Sequence, residues 1–189
     1  MVFFGFGIAL MARAHLGLGP WSVLHEGVAQ KAGIGLGTAD VLLSLPILLA
    51  WLPLRQHPGL GTLAAGTLIG LFTNVGTTLV DDVTSIGPKL ALLGTGTVLI
   101  ALGSGLYLAA DLGPGPRDGI MTGLHQRFGW SIRVVRSTLE ITVLTVGWLL
   151  GGTVGLGTIA FALLIGPLVQ LSLRLVDREG RIMRRGIRL

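Results

Sequence analysis

The chain has 189 residues, of which 51% are hydrophobic and only 12% charged, with 31 glycines and no cysteine. A soluble domain needs about 25% charged residues to wet its surface, so this composition excludes almost any soluble enzyme, and the missing cysteines exclude a disulfide scaffold and all thiol chemistry. A mean hydropathy of +0.78 sends the surface into lipid instead, and the net charge of +5 is concentrated in a tail rather than spread as a nucleic-acid footprint.

In chain order, the first predicted span covers residues 2–12, an uncharged run that ends at Arg13. A short segment follows at 20–33. Pro20 opens it, as suits a first helical turn, and Gly33 closes it, as suits the position just past a helix end. Spans are then predicted at 36–54 and 62–80, and a connection at 81–89 begins with Asp81 and Asp82. The pattern resumes with a span at 90–110, a second short segment at 116–129 between Pro116 and Gly129, spans at 132–150 and 158–176, and a basic tail at 177–189. Six of the fourteen cations, Arg174, Arg178, Arg181, Arg184, Arg185 and Arg188, fall in the last sixteen residues. That is the cytoplasmic flank expected of a final helix under the positive-inside rule.

Most spans approach the ~20 residues needed to cross hydrocarbon about 30 Å thick. The two short segments do not, and they carry His25, Glu26, Gln30 and Lys31, or Arg117, Asp118, His125, Gln126 and Arg127. They read as half-helices, re-entrant or lying in the interface.

An offset of 96 residues aligns the two halves without a gap. Leu16-Gly17-Leu18-Gly19-Pro20 falls on Leu112-Gly113-Pro114-Gly115-Pro116, Gly59-Leu60-Gly61-Thr62 on an identical Gly155-Leu156-Gly157-Thr158, and Leu68-Ile69-Gly70 on Leu164-Ile165-Gly166. Prolines and whole tetrapeptides in one register mark an internal repeat, residues 1–80 against 90–176. Leu90 maps to a position before Met1, so the first helix is expected to begin upstream. A signal peptide cut at Ala12-Arg13-Ala14 is rejected: no basic region precedes it, and Gly7 and Leu10 match Gly103 and Leu106 of a mature span. Three crossings per half make the repeats inverted, four make them parallel. The Lys/Arg counts tie, and the length and polarity of the short segments favour three plus three.

The Gly-x-Gly-Pro starts of the half-helices are the main candidate site. A proline-started helix aims free N–H groups and a positive dipole end at whatever precedes it, and discontinuous helices at a repeat interface build transporter sites. The candidate residues are Gly19, Pro20, Trp21 and Ser22 in the first half and Gly115, Pro116, Arg117 and Asp118 in the second. Gly19 and Gly115 would let a ligand approach the backbone; the alternative is a tight turn into an interfacial helix with Trp21 as an aromatic anchor. Glu140 is read as the deepest charge, with Arg136 one turn earlier on the same face. They form either a buried structural ion pair or a proton or cation coupling site, and Asp40 and Ser44 are their counterparts. Asn74 and Gln170 align with each other inside the third spans, as interhelical hydrogen-bonding groups or as the lining of a polar path. The four histidines have no metal-ligand spacing, and neither metal nor cofactor is expected.

The stretch Leu112-Gly113-Pro114-Gly115-Pro116-Arg117-Asp118-Gly119-Ile120-Met121, the later Val135-Arg136-Ser137-Thr138-Leu139-Glu140, and Gly147-Trp148-Leu149-Leu150-Gly151-Gly152 resemble the YczE/YyaS/YitT group of bacterial membrane proteins. Leu18-Gly19-Pro20-Trp21-Ser22-Val23-Leu24 is similar to that group's Gly-x-x-Pro-Trp-Asp stretch, with Ser22 where an acid is commoner. The resemblance implies a multi-pass protein of the bacterial plasma membrane and no particular activity.

The expectation is an all-α integral membrane protein of about six transmembrane helices in two inverted repeats, with its C-terminus cytoplasmic. The function expected is a small-solute transporter or channel-like protein with its site at the repeat interface. The alternative is a non-transporting accessory or regulatory protein acting on a partner complex. No nucleophile–base or metal constellation points to an enzyme. The partners open to the chain are the lipid bilayer, a small solute, a second copy of itself or a partner membrane complex, and not nucleic acid.

Overall fold

The computed structural model describes residues 1–110, 112–113, 115–130 and 132–176; the basic tail 177–189 and Pro114 of the second Gly-Pro turn lie outside them. Every regular element among the described residues is helical: α1 (Val2–Ala14), α2 (Pro20–Ala32), α3 (Leu36–Leu49), α4 (Trp51–Leu54), α5 (Leu60–Leu79), α6 (Ile86–Ala109), α7 (Pro116–Phe128), α8 (Ile132–Leu149) and α9 (Leu156–Val176). Helices α7, α8 and α9 begin 96 residues after α2, α3 and α5.

The half-helices follow their sequence signals closely. Proline occupies the first turn of both α2 and α7, and Gly33 and Gly129 close them in the left-handed conformation, φ 67° and 69°. The span expected at 36–54 instead breaks at Ala50 into α3 and α4. Pro53 has no N–H, so the Leu49 carbonyl loses its donor four residues on, and the helix stops there. The span expected from Leu90 starts earlier, at Ile86, because Pro88 fits a first helical turn; the expected connection 81–89 shrinks accordingly.

By length and apolarity, α5, α6 and α9 are long enough to cross a membrane, and α2 with α3, bent by 108° at their junction, make a fourth candidate. Six spans were expected. The short α1 has only 13 residues, and α8 carries Arg133, Arg136 and Glu140. The outer faces of α5 and α9 are rows of exposed leucines, among them Leu60, Leu63, Leu71, Leu163 and Leu171, which suit lipid and not water.

Helix α1 sits at the centre, packed between α5 and α6. Ile8, Met11, Ala14, Leu18, Val23, Leu93 and Ile100 form the buried core. Glycines make this closeness possible: a side chain on Gly7 would strike Gly96 and Ile100 of α6, and one on Gly5 would strike Ile69 and Thr73 of α5.

The ends of the bundle are fixed by bonds between residues far apart in the sequence. At one end, Arg13 Nη1 lies 3.0 Å from Asp82 Oδ2, Leu18 N–H donates to Thr153 O and Gly157 N–H donates to Leu16 O at 2.7 Å. At the other end, Gly61 N–H donates to Leu112 O at 2.8 Å. Helices α1 and α8 therefore finish, and α6 and α9 start, at the end that carries Asp82; α5 starts at the opposite end. Gly17 and Gly113 hold φ 110° and 111° in the two turns that accept these bonds, a conformation only glycine adopts readily.

Candidate functional site

Both half-helices reach Asp40 on α3, α2 through His25 in its second turn and α7 through Arg117 in its first. This carboxylate sits on the second turn of α3, 5% exposed, in the otherwise uncharged run 36–54. Its Oδ1 is 2.8 Å from Nδ1 of His25 on α2 and accepts a hydrogen bond from Nη2 of Arg117 on α7, also at 2.8 Å. His25 is 2% exposed, and its Nε2 is buried without a hydrogen-bond partner among the described residues. Ser44, one turn along α3, is buried and donates to the Asp40 carbonyl.

The Arg117 guanidinium lies over the ring of Trp21, 5.0 Å from its centroid. It is thus held by both a carboxylate and a π-face, a pairing that suits its flat, delocalised charge. Trp51 fixes the start of α7 from the α4 side: its Nε1 donates to Pro116 O at 2.9 Å, and its ring fills the space where a Gly119 side chain would stand. Asp118, next along, accepts from the Gly115 N–H and lies within electrostatic reach of both Arg117 and Arg136. A line of ionisable groups therefore runs from the buried His25–Asp40 pair through Arg117 and Asp118 to Arg136 and Glu140.

Of the residues singled out in sequence, Trp21 and Arg117 meet directly, and Ser22 is buried within the same turn of α2. The two entrance glycines are occupied by the protein itself: Gly19 lies against the Phe161 ring, and Gly115 against Asp118 and the Tyr107 hydroxyl, which donates to Gly113 O. Asn74 is not at the centre. Its Nδ2 donates to Thr38 Oγ1 and its Oδ1 accepts from the Gly37 N–H, each at 2.9 Å, so it stitches α5 to the start of α3. Gln170 is exposed on α9. Arg136 and Glu140 form the expected pair, Nε to Oε1 at 3.0 Å, but their side chains are 45% and 40% exposed. Among the described residues the most buried charged side chain is Asp40, not Glu140, because α3 packs along α5 while α8 has no comparable neighbour on its outer side.

Sequence reasoning named Asp40 only as the counterpart of Arg136 and passed over His25. The available signal was Asp40 standing alone in an apolar helix, where an ionisable group marks function by default.

A separate cleft of about 420 Å³ opens at the Asp82 end. Arg13, His15, Glu26, Gln30, Ile34 and Thr77 line it, and the Glu26 carboxylate also holds the Thr153 N–H. Beside it, Asp82 bonds to both His15 and Arg13; the His15 hydrogen bond first, then that of Arg13, hold its carboxyl below the ordinary carboxylate value.

Comparison with known proteins adds a family but no chemistry. Residues 1–174 match a family of unknown function, DUF6198. An uncharacterized protein of Haemophilus influenzae is 42% identical over 92% of this chain and 80% of its own length. The uncharacterized membrane protein YczE of Bacillus subtilis is 31% identical over 92% of the chain and 81% of its own. YyaS of the same organism is 27% identical over 92% and 88%. No solved structure matches. With its apolar helices and a matched region that takes in every helix but the last two residues of α9, the chain is a helical membrane protein and belongs to the DUF6198 family.

Proposed function

We propose that this protein is a transporter for a small polar solute, built as two inverted three-span repeats, with its site where the repeats meet. One observation carries the reading: Trp21 and Arg117 occupy equivalent positions in the two halves and touch each other. Two equivalent groups can meet only beside the axis that relates them. That axis therefore passes through the cluster holding Asp40 and His25, as in transporters whose sites lie between inverted repeats.

The direction of the helices supports inversion. Helix α2 joins the end of α1 to the start of α3 at the Asp82 end, whereas α7 joins α6 to α8 at the opposite end. Charge supports a cytoplasmic assignment for the latter. Arg55, Arg127 and Arg174 lie towards that end and the basic tail follows, while the Asp82 end carries Arg13, Lys31 and Lys89 beside Asp81 and Asp82. In this reading the protein lies in a bacterial plasma membrane, performs no covalent chemistry and needs no cofactor. Its partners are lipid and the solute.

A second reading has support of its own. Arg117 is fully engaged by Asp40 and Trp21, and both entrance glycines are filled by Phe161 or Tyr107, as a non-transporting accessory protein would have them. The Arg117→Gln variant separates the two, because it keeps length and hydrogen bonding and removes the charge. Proteoliposomes are loaded with a mixed pool of small metabolites and efflux is followed by mass spectrometry. We expect wild-type protein to release one chemical class and Arg117→Gln to release none, at equal incorporation. Equal efflux from both, or from neither and empty vesicles alike, favours the accessory role.

A further inference from the structure

The two halves of the chain are packed differently at matching positions. In the first half, α3 lies along α5. Gly37 and Gly70 bring the backbones together, Val41 covers Gly70, and Asn74 bonds to Thr38. The matching positions in the second half include Val134, Ser137, Gly166 and Gln170. There, α8 and α9 form no such seam among the described residues. Val134 is 61% exposed, Ser137 and Gln170 are exposed, and the space around Gly166 is open. The difference is large at the level of whole helices: 39% of the most apolar stretch of α5 is buried, against 11% of that of α9. A second inequality runs the other way across the repeats. Helix α2 lies close along α8, Gly27 and Leu24 against Gly147 and Val23 against Gly152, whereas α7 touches α3 only lightly.

Arg136 and Glu140 stand on α8 where Asp40 and Ser44 stand buried on α3. Both are substantially exposed here. Lipid does not solvate such groups at depth; they face water or the protein interior. The side of α8 that carries them is therefore expected to face water, and α3 against α5 shows what fills the equivalent space when it is closed.

We propose that α8 is a gate helix, open in this structure, which closes on α9 through the Val134–Gln170 and Ser137–Gly166 positions. In the same step α7 settles on α3, α2 leaves α8 and α3 leaves α5, so that the two halves exchange conformations and the opening moves from one end of the bundle to the other. Closure buries the Arg136–Glu140 pair. The inference rests on the inverted-repeat transporter reading above, and its test reads the motion and not the flux.

The chain has no native cysteine, so disulfide trapping in native membranes reports single pairs cleanly. Three double variants are oxidised with copper phenanthroline, denatured and counted for free thiols: Thr38→Cys/Asn74→Cys, Val134→Cys/Gln170→Cys, and Ser137→Cys/Gly166→Cys. All four second-half positions are exposed or open and tolerate replacement. The expected result is an intramolecular disulfide in each variant. In the variant combining the first two pairs, any one molecule forms one bond or the other, never both. Three results overturn the proposal: no second-half disulfide while the 38–74 pair forms, both bonds in one molecule, or second-half bonds only between chains, which assigns the open face to a second copy. If the gate fails in this way while Arg117→Gln still abolishes efflux, the transport reading stands without it.

Discussion

At the scale of single residues, the chemistry centres on one oxygen. Asp40 Oδ1 faces both His25 Nδ1 and Arg117 Nη2, so losing the carboxylate strands a guanidinium and a buried ring nitrogen together. Removing one partner of a buried pair costs about 3–5 kcal/mol, whereas replacing both with apolar groups of similar volume can be near neutral. Arg117 is 27% exposed, which places the expected loss at the lower end, about 3 kcal/mol. Asp40→Leu should therefore lower the thermal unfolding midpoint in detergent sharply, and Asp40→Leu/Arg117→Met should recover most of the loss. Additive losses in the double variant would mean that the two groups do not depend on each other. The Arg136–Glu140 pair, being near half-exposed, should show much weaker coupling in the same assay.

At the scale of elements, helix boundaries were legible wherever glycine or proline set them, as the half-helices show to within a residue. The break after Leu49 was also written in the sequence, in Pro53, but a continuous apolar run hid it, because hydropathy is blind to a missing N–H. Which helices touch was less legible, since periodicity gives a face but not its neighbour; α3 and α8 share a register and yet only α3 gains a flank. The tether of α1 to the α5–α6 connection was not legible at all, because Arg13 and His15 lie nearly seventy residues from Asp82. That tether has a definite pH dependence. The bonds to His15 and Arg13 lower the Asp82 pKa from its ordinary 3.8, so their stabilisation is complete above that value and is lost as pH falls through the lowered one. The unfolding midpoint of the wild type should exceed that of Asp82→Asn just above about pH 4, and the margin should close as the pH falls further and the carboxylate is protonated. A margin that persists undiminished at about pH 2 would overturn the assignment.

At the scale of the whole molecule, a register of glycines and prolines at an offset of 96 was legible, and α7, α8 and α9 do begin 96 residues after α2, α3 and α5, but the contact between matching positions was not legible. Trp21 and Arg117 were each singled out, yet nothing in a linear alignment places matching positions in contact; only the fold brings the guanidinium over the ring. That contact and the bond pattern at the two ends make a topological prediction. Leu18 N–H bonds Thr153 O, and Arg13 bonds Asp82, so Thr153 and Thr84 lie at one end of the bundle and, in the inverted-repeat reading, on the outer side of the membrane. Helices α2 and α7 should then enter from opposite faces, since each joins helices whose ends lie at its own end of the bundle. In intact cells, single cysteines at Thr84 and Thr153 should react with an impermeant maleimide, and a cysteine at Arg188 should react only after permeabilisation. Leu24 and Ile120 occupy matching places on α2 and α7 and decide the point: a cysteine at Leu24 should be reached from the outside and one at Ile120 from the inside. Reaction of both from one side would make the halves parallel. It would also require α2 and α7 to cross the membrane, which thirteen residues each, rising about 1.5 Å apiece, are too short to do.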